Sequence, residues 1–164
     1  MKDDGTESYW WKATSADTST DGVVVYTYPW GGRLRVEGNI PVRNQNPGAV
    51  RFSSDEKARE AGALTRDKRG FGVFPDWMTG KQAADDLWES FRKRKLTIRK
   101  LVTEYTETDQ EQRISDLTKK AKGWLDRHGN PVNENTPVSD LSDEQFAILR
   151  NYNNIQLEGW IGHL

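Results

Sequence analysis

The hydrophobic pattern near the start of the chain is that of a β-hairpin. Residues 22–28, GVVVYTY, are rich in β-branched and aromatic side chains, which favour an extended strand. The turn-forming sequence Pro29-Trp30-Gly31-Gly32 follows, and the next residues, RLRVEG, alternate polar with apolar positions. Further along, Asn46-Pro47-Gly48 predicts a turn, and FGVF at 71–74 predicts a short strand.

The rest of the chain has hydrophobic residues at helical spacing. Thr97 predicts one helix start, Gly62 predicts a helix end, and residues 128–141 are predicted to form a loop. Four capping boxes predict further helix starts. They are Ser53-Ser54-Asp55-Glu56, Thr79-Gly80-Lys81-Gln82, Thr108-Asp109-Gln110-Glu111 and Ser142-Asp143-Glu144-Gln145.

These elements predict an α+β fold, in which an N-terminal β-hairpin is followed by a mainly helical domain. Residues 1–20, rich in Ser and Thr, predict a flexible N-terminal arm, and residues 21–164 predict a single domain. No run approaches 18 apolar residues, so no membrane span is predicted. The acidic first residues, MKDDGTES, do not resemble a cleavable signal peptide.

Composition narrows the chemistry that the chain can perform. It has no cysteine, which excludes disulfides, thiol catalysis and thiolate metal sites. Its two histidines lack the spacing of a zinc site, so we predict no metal and no cofactor. Carboxylates are abundant, and pairs of carboxylates cleave glycosidic bonds.

The net charge of -1 is the sum of segments that carry opposite net charges. Residues 33–100 carry 16 basic and 9 acidic side chains, whereas residues 101–164 carry 6 basic and 11 acidic ones. We interpret these segments as a solvated surface with complementary halves, and a polyanion site is the alternative. The densest basic run is typical of the C-terminal end of a helix, where cations complement the helix dipole. We therefore do not predict nucleic acid as a partner. That run is Arg92, Lys93, Arg94, Lys95, Arg99 and Lys100.

Three carboxylates stand out as candidate catalytic groups. Glu158 lies in LEGW, and apolar neighbours raise the pKa of a carboxyl group, as a general acid requires. Glu107 and Asp109 lie in YTETD at a predicted helix start, where backbone N–H groups favour an ionised base or nucleophile. The structural alternatives are a surface position for Glu158 and plain helix capping for Asp109.

The seven tryptophans divide by context. Trp88 and Trp124 fall on apolar helix faces and are predicted to lie in the core. Trp30 and Trp77 lie in turn-like sequences, where an indole either stacks on a sugar ring or packs under a loop.

Several short stretches, read in order, resemble a bacterial and phage family of lysozyme-like, peptidoglycan-degrading domains. They cover about residues 24–160, and the most specific are VRNQNPGAVR and GFGVFP. The family pattern includes R-N-N-N-P-G-N-I-R, F-A-V-F-P, Y-A-P-P-x-E-N-D-T and H-E-G-W. This chain departs from it at Gln45, Ala49 and Leu157, and it lacks the two prolines before Glu107. Members occur in phage virion proteins and in effectors of the type VI secretion system.

The resemblance implies roles for individual residues. Asn44 and Asn46 would hydrogen-bond the N-acetyl and hydroxyl groups of the glycan, and Tyr105 and Trp160 would line the substrate site. Trp30 or Trp77 would stack on a sugar. In phage lysozymes the E-G glutamate ends the first helix, whereas Glu158 comes last here. We therefore hypothesise a circularly permuted lysozyme-like arrangement.

The implied activity is cleavage of the β-1,4 link between N-acetylmuramic acid and N-acetylglucosamine, by hydrolysis or by transglycosylation. Glu158 would be the acid, and Glu107 or Asp109 would orient water or stabilise the oxocarbenium ion. The alternative is a non-catalytic module that binds peptidoglycan or builds a delivery machine. A more distant alternative is a polyanion-binding adaptor.

The resemblance also implies partners and a place of action. The glycan strands would be the substrate, and a cognate immunity protein and secretion or phage tail machinery would be protein partners. The chain would be made in the bacterial cytoplasm and act in the periplasm or cell wall of a target cell after delivery.

Overall fold

The described part of the chain forms two compact units. A computed structural model describes residues 11–106 and 108–158, with side chains described as far as residue 153. The first unit runs to Ala84, and the second spans Asp85–Gln156. The architecture is mixed α+β, with antiparallel sheet in the first unit and helices in the second, so the predicted fold class is confirmed at that level.

A three-stranded antiparallel sheet opens the first unit. Its strands are β1 (Ser15–Asp17), β2 (Val23–Thr27) and β3 (Arg33–Glu37), with β2 in the centre. The predicted hairpin is confirmed, and Tyr26 lies opposite Leu34 in its register. Strand β1 falls within residues 1–20, so the segment interpreted as a flexible arm contributes an edge strand from residue 15 to residue 17.

Two short helices and a second, two-stranded sheet complete this unit. The helices are α1 (Ile40–Arg43) and α2 (Asp55–Glu60), and the strands are β4 (Thr65–Arg66) and β5 (Gly72–Val73). The predicted FGVF strand is thus confirmed at its centre. Helix α2 is capped by the hydroxyl of Ser54, one residue after the predicted Ser53, and it ends just before Gly62 as expected. The core here is formed by Val24, Tyr26 and Val73 and, in a second cluster, by Ala58, Ala63, Phe74 and Ala83.

Helix α3 (Trp77–Lys93) begins earlier than its predicted capping box. The Asp76 carboxylate accepts a hydrogen bond from the backbone N–H of Thr79 at 2.7 Å, which caps the helix three residues before Thr79 could do so. The prediction of a helix start at Thr79 was therefore wrong, because a competing cap lies upstream.

The second unit contains α4 (Ile98–Tyr105), α5 (Gln110–Lys120), a 3-10 helix (Val138–Asp140) and α6 (Asp143–Glu158). The predicted cap at Thr97 is confirmed by its bond to the Lys100 N–H. The Ser142 box is confirmed in both directions, since Ser142 and Gln145 each accept from the other's backbone N–H. Helices α4 to α6 and the end of α3 enclose one hydrophobic core.

Aromatic rings fill the centre of that core. Trp88 is 1% exposed and makes edge-to-face contacts with Phe91 and Phe146 at ring-centroid distances of 5.7 and 5.9 Å. Trp124 packs against the same cluster while partly buried. The core assignment of Trp88 on a helix face is confirmed, whereas Trp124 lies beyond the end of α5 and only borders the core, so its predicted position on a helix face is wrong. None of the helices within the described residues has the length and apolar character needed to cross a membrane.

Candidate functional site

The turn after α1 is built on a buried asparagine. The Asn46 side-chain amide donates to the carbonyls of Val50 and Gly72, both at 3.0 Å, and its oxygen accepts from the Val50 N–H at 2.9 Å. Asn46 is fully buried, and all of these partners belong to the protein itself. Asn46 therefore supports the turn, and a contact between its amide and a sugar would require the turn to open.

Asn44 is also fully buried, and its partner is a carboxylate. Its amide donates to Asp67 Oδ2 at 3.0 Å, while its own oxygen has no hydrogen-bond partner among the described residues. The other oxygen of Asp67 accepts the N–H groups of Arg69 and Phe71. The sequence analysis missed Asp67, although an Asp three residues before Gly70 is a turn signal that could have identified it.

A cavity of about 250 Å³ lies beside Asp67 in the first unit. Its walls combine hydroxyls, carboxylates and cations, a mixture that suits a polar ligand with many hydroxyl groups. Lys68 pairs with Asp21 at 3.3 Å on this wall. The polar lining residues are Thr18, Thr20, Asp21, Arg43, Asp67, Lys68 and Arg69.

The hairpin turn between β2 and β3 carries an exposed aromatic surface. The Trp30 side chain is 66% exposed and stacks on Tyr28, with ring centroids 5.8 Å apart and planes 20° from parallel. Leu34, on the neighbouring strand, is 50% exposed. Trp77 differs, because it is partly buried as the first residue of α3. Of the two predicted sugar platforms, Trp30 has the more accessible ring.

Of the three predicted catalytic carboxylates, the structure describes the side chain of Asp109 alone. Asp109 is exposed at the N-cap of α5, in left-handed backbone with φ of 55°, and its side chain makes no capping hydrogen bond. The predicted capping box at Thr108 is therefore wrong. Glu158 is the last residue of α6, and its side chain lies outside the described set. Glu107 and Trp160 lie outside the described residues.

Tyr105 lies at the end of α4, where its ring contacts Phe91 edge-on at 6.0 Å. Its hydroxyl is buried, and no described residue forms a hydrogen bond with it. Burial raises the pKa of Tyr105 above its ordinary range, and the nearby positive charge of Arg113 opposes that rise. The hydroxyl consequently keeps its proton and remains a hydrogen-bond donor.

Arginines of the basic run are engaged in ion pairs within the second unit. Arg92 pairs with Asp143 at 2.9 Å, and Arg94 pairs with Glu104 at 2.9 Å. Arg99 bonds to Glu111 and Glu134, which lowers the pKa of Glu111. These pairs favour the interpretation of complementary surface charge over that of a polyanion site.

Comparisons of the chain with protein-family models, curated proteins and solved structures return no match. The family resemblance accordingly depends on the short motifs quoted above.

Proposed function

We propose that this chain binds the glycan strands of peptidoglycan and cleaves their β-1,4 links. The observation that carries the proposal is the Tyr28–Trp30 pair, because a flat, exposed aromatic ring is suited to stacking on the apolar face of a sugar. The polar cavity beside Asp67 in the same unit supports it, since hydroxyl, carboxylate and cationic groups can hydrogen-bond a glycan. The motif resemblance supports peptidoglycan as the polymer.

In the proposed reaction, Glu158 protonates the leaving oxygen and Glu107 or Asp109 orients water or stabilises the oxocarbenium ion. Asp109 is favoured by its exposed carboxylate, which is not used to cap α5, and by its left-handed backbone. Non-glycine residues adopt that conformation at a cost, and such positions cluster at functional sites. A lysozyme-like, circularly permuted arrangement remains part of this proposal.

The test is loss of turbidity of purified peptidoglycan sacculi. We expect wild type to clear the suspension, and we expect Glu158→Gln and either Glu107→Gln or Asp109→Asn to slow clearing by at least about 100-fold, as for loss of an acid or base. Glu144→Gln is the matched control, because Glu144 is an exposed carboxylate on the same helix as Glu158. Full activity of the Glu158 variant would refute its role as the acid.

Product masses then separate the two reaction classes. Hydrolysis adds one water per cleavage, whereas a transglycosylase yields a 1,6-anhydro product that is lighter by one water. If cleavage occurs, carboxyl groups about 5 Å apart would give retention and those roughly 6.5–9.5 Å apart would give inversion.

A non-catalytic peptidoglycan-binding module is the second candidate, and the aromatic pair favours it equally because stacking requires no chemistry. It predicts that sacculi retain the protein in a pelleting assay without being cleared. In either case Trp30→Ala should reduce retention, whereas Met78→Ala, which also truncates an exposed apolar side chain, should not. The catalytic form of the proposal also includes delivery of the protein into the periplasm of a target cell and a cognate immunity protein as its partner.

A further inference from the structure

The cavity beside Asp67 carries more positive than negative side chains. Among its described lining residues, Arg43, Lys68 and Arg69 are cationic, whereas Asp21 and Asp67 are carboxylates. Its volume of about 250 Å³ lies just below the roughly 300–1,000 Å³ of pockets that take drug-sized ligands. The cavity therefore suits one sugar unit rather than an oligosaccharide, and its excess of cations favours a sugar that carries a negative charge.

Both carboxylates of the lining are already engaged within the protein. Asp67 accepts hydrogen bonds from the Asn44 amide and from two backbone N–H groups of its own turn, so its oxygens hold that turn together. Asp21 pairs with Lys68 at 3.3 Å, and the side chains of both residues are more than half exposed. Exposed ion pairs are weak because water screens them, so a carboxylate on a ligand can compete with Asp21 for the ammonium group.

Arg43 supplies the second cation that can meet such a ligand. It is the last residue of α1, it is half-buried, and its Nη1 donates to the Gly38 carbonyl at 2.6 Å, which orients the guanidinium group. Within the described residues Arg43 forms no ion pair with a carboxylate. A guanidinium group has five N–H donors and binds a carboxylate through two parallel hydrogen bonds. Arg43 can therefore bind a carboxylate while it keeps its bond to Gly38.

Hydroxyl and apolar groups complete the lining. Thr18 and Thr20 follow β1 and supply hydroxyl groups, which both donate and accept hydrogen bonds. Val23 and Val24, at the start of β2, add apolar surface. A sugar presents the same combination, with hydroxyl groups around its ring and C–H groups on its face. The lining thus matches an acidic sugar better than an inorganic anion, which has no apolar surface to bury.

We propose that this cavity binds a sugar that carries a carboxylate. Arg43 and Lys68 bind the carboxylate, and Thr18 and Thr20 form hydrogen bonds with the ring hydroxyls. The identity of the sugar rests on the proposed function: of the two sugars of peptidoglycan, N-acetylmuramic acid bears a lactyl carboxylate, which is free where no stem peptide is attached. The cavity therefore selects N-acetylmuramic acid over N-acetylglucosamine.

The first measurement is an NMR titration of the full chain with three sugars. They are N-acetylmuramic acid, its methyl ester at the lactyl carboxylate, and N-acetylglucosamine. The ester keeps the lactyl group and removes only the charge. We expect shifts at the amides of residues 20–22, 43 and 67–69, with affinity for the acid at least about fivefold above that for either neutral sugar, because the neutral sugars lack the charge-assisted bonds. Equal affinity for the acid and its ester, or no response to the acid, would overturn the proposal.

The second measurement repeats the titration with charge variants. Arg43→Gln should weaken binding of the acid by about tenfold and leave binding of the ester unchanged, because it removes a charge-assisted bond. Lys68→Gln alters an exposed side chain, so it tests the cavity even where Arg43→Gln fails to fold, and we expect a several-fold loss. Arg59→Gln is the control, because Arg59 is exposed on α2 and lies outside the cavity lining. Wild-type affinity of both cavity variants for the acid, or an equal loss in the control, would overturn the proposal.

Binding and activity fail separately in this design. If sacculi are not cleared but the cavity prefers N-acetylmuramic acid to its ester, the hydrolase proposal falls and the acidic-sugar site stands. If sacculi are cleared while the acid and the ester bind equally, the acidic-sugar site falls and the hydrolase proposal stands.

Discussion

At the scale of single residues, burial separates structural side chains from those that can meet a ligand. Asn44 and Asn46 came from the most specific motif of the sequence, yet both are fully buried and bonded within the protein. A motif gives residue types and spacing but not exposure, because exposure depends on segments distant in sequence, such as Gly72 over Asn46. Trp30 could be predicted as a surface residue from its turn, since turns lie at the surface.

We predict that Asn46→Ala destabilises the protein by roughly 2–4 kcal/mol, because two carbonyls and one N–H lose their buried partner. Asn130→Ala, at an exposed turn, should change stability little. Urea unfolding followed by tryptophan fluorescence measures both. An equal midpoint for Asn46→Ala and wild type would show that the turn does not depend on this side chain.

At the scale of elements, helix starts were predictable where the capping bonds stay within a few residues. The Ser142–Gln145 pair and Thr97 cap as their spacing indicates. The boxes at Thr79 and Thr108 failed for two reasons. Asp76 caps α3 further upstream, and Asp109 takes left-handed backbone at the start of α5. In each case a neighbouring residue supplies another helix start: Asp76 lies three residues before Thr79, and Asp109 lies one residue after Thr108.

Close packing within the first unit leaves no room for a side chain at Gly80, the glycine of α3. A Cβ at Gly80 would come within 2.0 Å of the Gln45 carbonyl oxygen, on the turn that Asn46 supports. We predict that Gly80→Ala costs about 1–3 kcal/mol, although alanine is the better helix former. Thermal unfolding, with Met78→Ala on the same helix as control, measures this cost. Stabilisation by Gly80→Ala would contradict the close approach.

Between α4 and α5 we predict an acid-sensitive ion pair. Hydrogen bonds from Arg99 lower the pKa of Glu111 from 4.5, so its stabilisation is complete above pH 4.5 and is lost as pH falls through the lowered pKa. The difference in Tm between wild type and Arg99→Gln should therefore shrink below about pH 4, and it should also shrink with added salt. Arg127→Gln serves as a control on another ion pair of this unit. A difference independent of pH would contradict the pairing.

At the scale of the whole molecule, the sequence predicted the α+β class, with strands before helices, and the structure groups these elements into two compact units. The boundary between Ala84 and Asp85 lies inside α3, where no linker composition marks it. Each unit nevertheless has its own hydrophobic cluster. Such a cluster forms from contacts between residues distant in sequence, which the local hydrophobic pattern does not specify.

Separate cores predict separate local stabilities. Val24 in β2 and Val102 in α4 are both 1% exposed, so Val24→Ala and Val102→Ala form a matched pair that removes the same atoms from different cores. Each should cost about 2 kcal/mol from lost burial and the cavity left behind. We expect native-state hydrogen exchange to accelerate mainly at amides of β2 and β3 in the first variant and of α4 to α6 in the second, because opening occurs in cooperative local units. Equal acceleration across both sets of amides in both variants would instead mean that the described residues unfold as one cooperative unit.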